Sequence, residues 1–523
     1  MRNRRLRLGW SAGARVLLPL ASALIASPAV AGIAVTVRSE CAAEVGGALT
    51  DAPTDALTDA LRGGEQVFEA AYTELCARAV SDLEAYAEWC GSVRLAADRE
   101  RALNAILHFS PQHEGARRGL KHVKQRDGSW APPPKKSEVK NNNKNLEPEG
   151  VERRRKIGTA LLEGGLELAR TSESDDVAQR RRWRAQVVAD VLVIDTDHEA
   201  ARVAGGEARR EQEWVLAETV AAKAQRAALK SRVEHHVAAV PSPQATEIRP
   251  HETALGIQWA HAVATPRLRV LTDGAKAEAE RAAVMCTAAL EWFSELAAIS
   301  SDLTPDYTIY LLVNSASRDA FVGAWPGWSD SERARVKTWA GCGVPGDIHQ
   351  ARWDADEAHR LDGAVRHTLG LLMLRELQFD HSRCAWAWEG FGLYLTRELV
   401  GTRYTWYSSA PASGDTETKD LLGRLMLSDV NWVNEYYQRA KRNRAPTLAK
   451  LAATRIDAFG VDDILASYAV AAYVLEGRPG ALPELLGSLG ASSDGGAAAL
   501  ARLFDDELPL GDQRILRWLS ERK

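Results

Sequence analysis

Val365-Arg366-His367-Thr368-Leu369-Gly370-Leu371-Leu372-Met373-Leu374 and, after a short polar loop, Trp386-Ala387-Trp388-Glu389-Gly390-Phe391-Gly392-Leu393-Tyr394 decide how the chain reads. The first run is apolar almost all round, the mark of a helix with no solvent face. Leu369, Leu371, Leu372, Met373, Leu374 and Leu377 belong to that core run. Each run carries one side chain able to ligate a metal, His367 on the first and Glu389 on the second.

Two histidines four residues apart lie on one face of a helix, where both imidazoles reach one zinc ion, and a glutamate after the first histidine activates the bound water. Here the base position holds Thr368 and the second ligand position Leu371. The pattern Trp386-x-x-Glu389-Gly390-x-x-x-Tyr394 is similar to the one that carries the third ligand in gluzincin metallopeptidases, in their peptidase MA-like branch. That resemblance implies His367 as first zinc ligand, Glu389 as third, Leu371 in place of the second histidine and Thr368 in place of the general base. Leucine has no lone pair, and a threonine hydroxyl is no base near neutral pH without a partner to deprotonate it. No catalytic residue and no cofactor are therefore expected, and His367 and Glu389 are expected to share a buried hydrogen bond between the two helices.

The alternative is an active metallopeptidase with an atypical zinc ligand set. His359, eight residues before His367, points about 80° off its face at 3.6 residues per turn. Glu376 lies near the opposite face, and His381 in the loop can swing in. Tyr404, Tyr407 and Tyr468 are candidate counterparts of the family's transition-state tyrosine, with aromatic packing as the plainer role. Restoring Thr368→Glu with Leu371→His is expected to create zinc binding.

Outward from this core, residues 265–523 read as an α+β domain with a helical tail. Arg267–Leu271 alternates like a strand, a helix follows over 275–299, and Tyr307–Val313 is a second strand. A short helix spans 317–324 and an edge strand 347–353. This order also resembles the peptidase MA-like domain. Gly341-Cys342-Gly343-Val344-Pro345-Gly346 matches a dinucleotide-binding string but leads into a strand instead of a helix, so it reads as the turn into the edge strand.

The N-terminal half reads as mainly α. Ile106-Leu107-His108-Phe109-Ser110-Pro111-Gln112-His113-Glu114-Gly115-Ala116-Arg117 returns later as Val191-Leu192-Val193-Ile194-Asp195-Thr196-Asp197-His198-Glu199-Ala200-Ala201-Arg202, with Trp130 matched by Trp214. Helical repeat units are expected at 40–130 and 157–236, and their wording resembles tetratricopeptide-type repeats that precede peptidase-like domains in exported bacterial proteins. His113 and His198 are tempting as a ligand pair, but a histidine at a repeat turn more often caps or packs the helix that follows it. Residues 131–156, with three prolines and three asparagines in runs, read as a disordered linker, and 237–264 as a second linker. His251-Glu252 lacks a second ligand, since position 255 is Leu255.

Residues 1–31 are Arg-rich, then uncharged, and Ala29-Val30-Ala31 offers a small-residue cleavage site. They read as a secretory signal peptide, with an uncleaved membrane anchor as the alternative, and imply a periplasmic or extracellular location. The net charge of -4 gives no overall basic field and points neither to nucleic acid nor to an anionic membrane surface. Among six cysteines, Cys76 with Cys90 and Cys342 with Cys384 can pair, while buried free thiols are the other reading. The functional expectation is an exported protein whose metallopeptidase-like domain binds a protein or peptide without cleaving it.

Overall fold

A computed structural model describes residues 53–133, 139–172, 177–300, 306–345, 348–405, 416–504 and 508–522. The segment 1–31, Cys41 and Tyr407 lie outside them. The chain divides into two compact units, and the boundary falls between Ala217 and Glu218.

The first unit holds two successive sets of elements in the same order. One is α1 (Pro53–Ser92), α2 (Ala96–Phe109), α3 (Glu114–Gly119) and the hairpin of β1 (Val123–Lys124) with β2 (Trp130–Ala131). The other is α4 (Glu147–Thr171), α5 (Val177–Ile194), α6 (Glu199–Ala204) and the hairpin of β3 (Glu207–Arg210) with β4 (Glu213–Leu216). His113 Nδ1 accepts the N–H of Ala116 at 3.1 Å, and His198 Nδ1 that of Ala201 at 3.2 Å. Each imidazole thus satisfies one of the N–H groups that a helix start leaves open. Phe68 stacks between Tyr72 and Trp183 in the shared core. Arg154 of α4 is buried between two carboxylates, donating to Asp98 of α2 at 2.8 Å and to Asp195 at the end of α5 at 3.4 Å.

The stretch 131–156 is not a linker throughout, because α4 already begins at Glu147. Its asparagines also have work to do. Leu95, at the N-cap of α2, offers no side-chain acceptor. Asn141 supplies it instead, accepting from the N–H of Ala97 at 2.9 Å and donating to Asp98 Oδ2 at 2.8 Å. Asn141→Ala is expected to cost about 1 kcal/mol, the usual worth of such a cap. Thermal melting reads the loss, and faster amide exchange at Ala97 assigns it to α2.

The second unit starts with α7 (Ala217–Ala239), so the expected unit 157–236 is cut short at its last helix. Buried Glu218 of α7 accepts from Tyr473 at 2.8 Å and pairs with Arg514, which fixes α7 to the C-terminal helices. Residues 237–264 are likewise no linker: they supply β5 (Gln244–Ala245), α8 (Pro250–Thr253) and β6 (His261–Ala264). Glu252, the decoy acid, is fully buried and holds Arg269 by two hydrogen bonds of 2.7 and 3.1 Å.

With β7 (Arg269–Thr272), β8 (Thr308–Leu311), β9 (Gly341–Gly343) and β10 (Gln350–Arg352) these strands form one sheet in the order β5-β6-β7-β8-β10-β9. β7, β8 and β10 are parallel, and the outer strands run antiparallel. The strand near 347–353 is therefore not the edge. The edge is β9, made from the glycine string itself. A Cβ on Gly341 would lie 2.5 Å from Ala351 O across the ladder, so glycine is what allows this pairing.

On the sheet lies α9 (Lys276–Ala297), whose Ala279, Ala282, Ala283, Cys286, Leu290 and Phe293 are buried at helical spacing. α10 (Ser315–Ala324) and α11 (Asp330–Val336) share a separate core with Leu271, Tyr310 and Ala351 of the sheet, while the two helices of the opening motif, α12 (Glu357–Arg375) and α13 (Ala385–Val400), run beside α9. Arg360 of α12 grips Glu278 of α9 with two bonds of 2.6 and 3.0 Å. The tail is helical: α14 (Thr416–Leu425), α15 (Trp432–Ala440), α16 (Leu448–Ala453), α17 (Val461–Ala472), α18 (Leu482–Leu489), α19 (Ala497–Arg502) and α20 (Leu508–Glu521). α13 packs on α17 so closely that a Cβ on Gly390 would sit 2.3 Å from Ser467 O. Cys76, Cys90, Cys286, Cys342 and Cys384 are all free thiols, the second of the two readings the sequence left open. Among the described residues, no helix is long and apolar enough to cross a membrane.

Candidate functional site

Glu389 is fully buried, and the cation that meets it is Arg366. Arg366 Nη2 lies 3.5 Å from Glu389 Oε1 and donates to the carbonyl of Trp388 at 2.7 Å. The guanidinium also stands over the Trp388 indole, 5.4 Å from its centroid. Gly392, one turn along α13 from Glu389, makes the room: a Cβ there would stand 2.2 Å from both Cζ and Nη1 of Arg366. Gly370 on α12 clears the Trp388 ring in the same way, at 2.7 Å. Two glycines thus cradle one arginine and one indole between the helices.

His367 does not hydrogen-bond Glu389, contrary to the expected contact. Neighbouring helical residues point about 100° apart, so with Arg366 turned to α13 the imidazole turns away. Its Cε1 and Nε2 lie 3.0 and 3.3 Å from where a Cβ on Gly343 would be, against the edge strand β9. Burial holds its pKa well below the ordinary histidine range, and the charges of Arg352 and Arg366 push the same way. It is a neutral ring. Leu371, one turn on, is buried, as expected of a core residue.

Thr368, at the position a general base would hold, faces the sheet. Its hydroxyl donates to Ala364 O at 2.8 Å and lies 2.9 Å from the Tyr307 hydroxyl. Gln350 Nε2 donates to Tyr307 Oη, and Gln350 Oε1 accepts from Arg352 Nε at 2.8 Å. With the Thr368 proton spent on the carbonyl, Tyr307 must donate to Thr368. The chain runs one way, from Arg352 through Gln350, Tyr307 and Thr368 to the backbone of α12. All four side chains are buried. Cys286 touches this cluster through Thr368, and burial lifts its thiol to about 12. These groups brace α12 on the sheet, and none presents a proton acceptor to solvent.

The remaining candidates have other employment. His359 stacks on Tyr404 with ring centroids 4.0 Å apart. Between them on α12, fully buried Asp362 accepts from Thr402 Oγ1, Tyr404 N and Thr405 N at 2.8, 3.1 and 2.9 Å. Tyr468 receives Arg403 and packs on Tyr394 and Trp432, in the packing role the sequence allows. His381 sits edge-on to Trp388 at 5.6 Å, its pKa lowered mainly by burial. Glu376 follows the last turn of α12. Separately, a cleft of about 540 Å³ opens where α13 begins, with Arg383, Arg455 and Asp494 among its walls.

Catalytic zinc ordinarily takes three protein ligands. Among the described residues no three His, Cys, Asp or Glu side chains converge in that way. The donors at hand are one neutral imidazole facing β9 and one carboxylate already beside a guanidinium, and that set does not fit zinc. Comparison with family models, with curated proteins and with solved structures gives no match. Sequence reasoning missed Arg366 and Gly392, although an arginine at the head of the apolar run 365–374 is itself a signal that a buried anion awaits it.

Proposed function

We propose that the second unit is a gluzincin-like metallopeptidase scaffold in which a side-chain cation has replaced the metal, and that it binds a protein or peptide partner without cleaving it. The observation that carries this reading is Arg366 lodged in the Gly392 cradle beside Glu389. A carboxylate that resembles a third zinc ligand is neutralised from within the chain, and the group at the base position is locked into a buried network. The cleft at the start of α13, with guanidinium groups and small side chains in its walls, offers the same helix a place to receive extended polypeptide. In this reading residues 1–31 export the chain, and the two element sets of the first unit are tetratricopeptide-like hairpins.

Zinc and peptidase assays on the full chain test it. After incubation with excess zinc and desalting, metal is expected well below one equivalent, casein is expected to stay intact, and unfolded casein peptides are expected to be retained equally with and without chelator. One equivalent of zinc that disappears in His367→Ala, or peptide retention abolished by chelator, would instead establish the atypical zinc enzyme.

A further inference from the structure

The two hairpins of the first unit follow the same short helix and turn but differ in strand length, two paired residues a side against four, and in charge. In both, a short helix ends in paired turn hydrogen bonds: Leu120 N to Ala116 O and Lys121 N to Arg118 O in one, Gly205 N to Ala201 O and Gly206 N to Val203 O in the other. In both, a cation then lies over a tryptophan across the strand pair, Lys124 over Trp130 at 5.5 Å and Arg209 over Trp214 at 5.3 Å. Through the Lys124–Trp130 and Arg209–Trp214 pairs, 117–124 corresponds to 202–209, and residues 125–126 and 210–211 are matched by sequence offset into turns of different length. The first stretch holds Arg117, Arg118, Lys121, Lys124 and Arg126 with no acid. The second holds Arg202, Arg209 and Arg210 against Glu207 and Glu211. The hairpin therefore folds without the positive charge, and that charge is not a structural requirement.

Lys121 sharpens the point. Its φ is 64°, and its counterpart Gly206 has φ 78°. The turn needs a left-handed residue, which glycine adopts freely and a lysine only with strain. Lysine at this turn carries a backbone cost that the glycine of the second hairpin avoids. Lys121 and Arg126 are exposed, and the Arg118 and Lys124 side chains are 72% and 53% exposed even though both touch Glu114. Among these cations Val123 stands 60% exposed, with the half-buried Trp130 on the partner strand. The whole-chain charge of -4 conceals this local surplus.

We propose that the β1–β2 hairpin is a docking surface for an anionic lipid bilayer. Cations grouped around an exposed aliphatic side chain and an indole match the boundary between phosphate headgroups and acyl chains. An acidic polypeptide would call for the cations but not for the bare valine. Binding is electrostatic at this surface and falls as salt rises.

The test exchanges the first hairpin's charges for the second's, as Arg118→Val, Lys121→Gly and Arg126→Glu together in the full chain. Sedimentation with phosphatidylcholine vesicles, with and without phosphatidylglycerol, compares variant and parent, which share the same N-terminal segment. The variant is expected to lose about tenfold or more in affinity for the phosphatidylglycerol vesicles, given the worth of each cation near an anionic surface. Lys121→Gly alone is expected to hold or raise the melting temperature while weakening vesicle binding, which separates docking from folding. Equal binding of variant and parent, a loss that is as large on pure phosphatidylcholine, or binding to polyglutamate in preference to vesicles overturns the proposal.

Discussion

Arg366→Met is expected to destabilise the second unit by about 3–5 kcal/mol, the range for taking one partner from a buried ion pair. The carboxylate of Glu389 would stay fully buried in α13 after losing the cation beside it. The Trp388 carbonyl would also lose its donor. A carboxylate held in a low-dielectric interior either takes up a proton or drags water in, and each course loosens the contact of α12 with α13. Replacing both charges, as Arg366→Met with Glu389→Leu, is expected to recover most of the loss, since apolar pairs of similar volume often match buried ion pairs. Gly392→Ala should resemble the single variant, because its methyl takes the space of the guanidinium. Urea unfolding of the three variants decides. Single and double variants that unfold alike would mean that the charge pair does not hold the two helices together.

Thr368→Glu with Leu371→His, which rebuilds the missing parts of a zinc helix, is expected to bind no zinc and to fold less stably than the parent. From the sequence alone the opposite outcome is expected. Two features of the structure reverse it. First, Thr368 lies among Tyr307, Gln350 and Ala364 with no solvent contact, so a glutamate there overpacks the sheet interface at about 1–3 kcal/mol and adds the cost of a buried acid. Second, the Glu389 carboxylate remains beside Arg366, whose positive charge repels a divalent ion. A melting temperature unmoved by zinc and lower than the parent's is the expected reading. Stoichiometric zinc with restored stability would show that the guanidinium yields its place readily.

The elements that came through from sequence are those whose burial pattern is long. α9, α12 and α13 and the strands β7 and β8 announce themselves by runs of apolar residues at regular spacing. That His113 and His198 cap or pack the helices after them was legible because the text around them repeats, and the structure makes them caps. β5 and β9, of two and three residues, leave no periodicity to detect, and β6 (His261–Ala264) lacks the bulky apolar flanks of β7 and β8, which is why 237–264 reads as a linker and the edge of the sheet is misplaced. At the candidate site, attention to His367 hid the residue beside it. Which of two adjacent side chains faces a neighbouring helix depends on the rotation of α12 about its axis. That rotation is set by Thr368 gripping the sheet and Arg360 gripping α9, contacts between residues far apart in the chain.

Arg154 has a bearing on how the first unit comes apart. Linear arrays of stacked modules unzip from their ends, because each module touches only its neighbours. Here a single guanidinium near the start of one half is clasped by an acid from each half. Opening either half breaks the 2.8 Å pair of Arg154 with Asp98 that crosses between them, so fraying of one half is coupled to the other. The two halves are bound to rise and fall as a single cooperative transition.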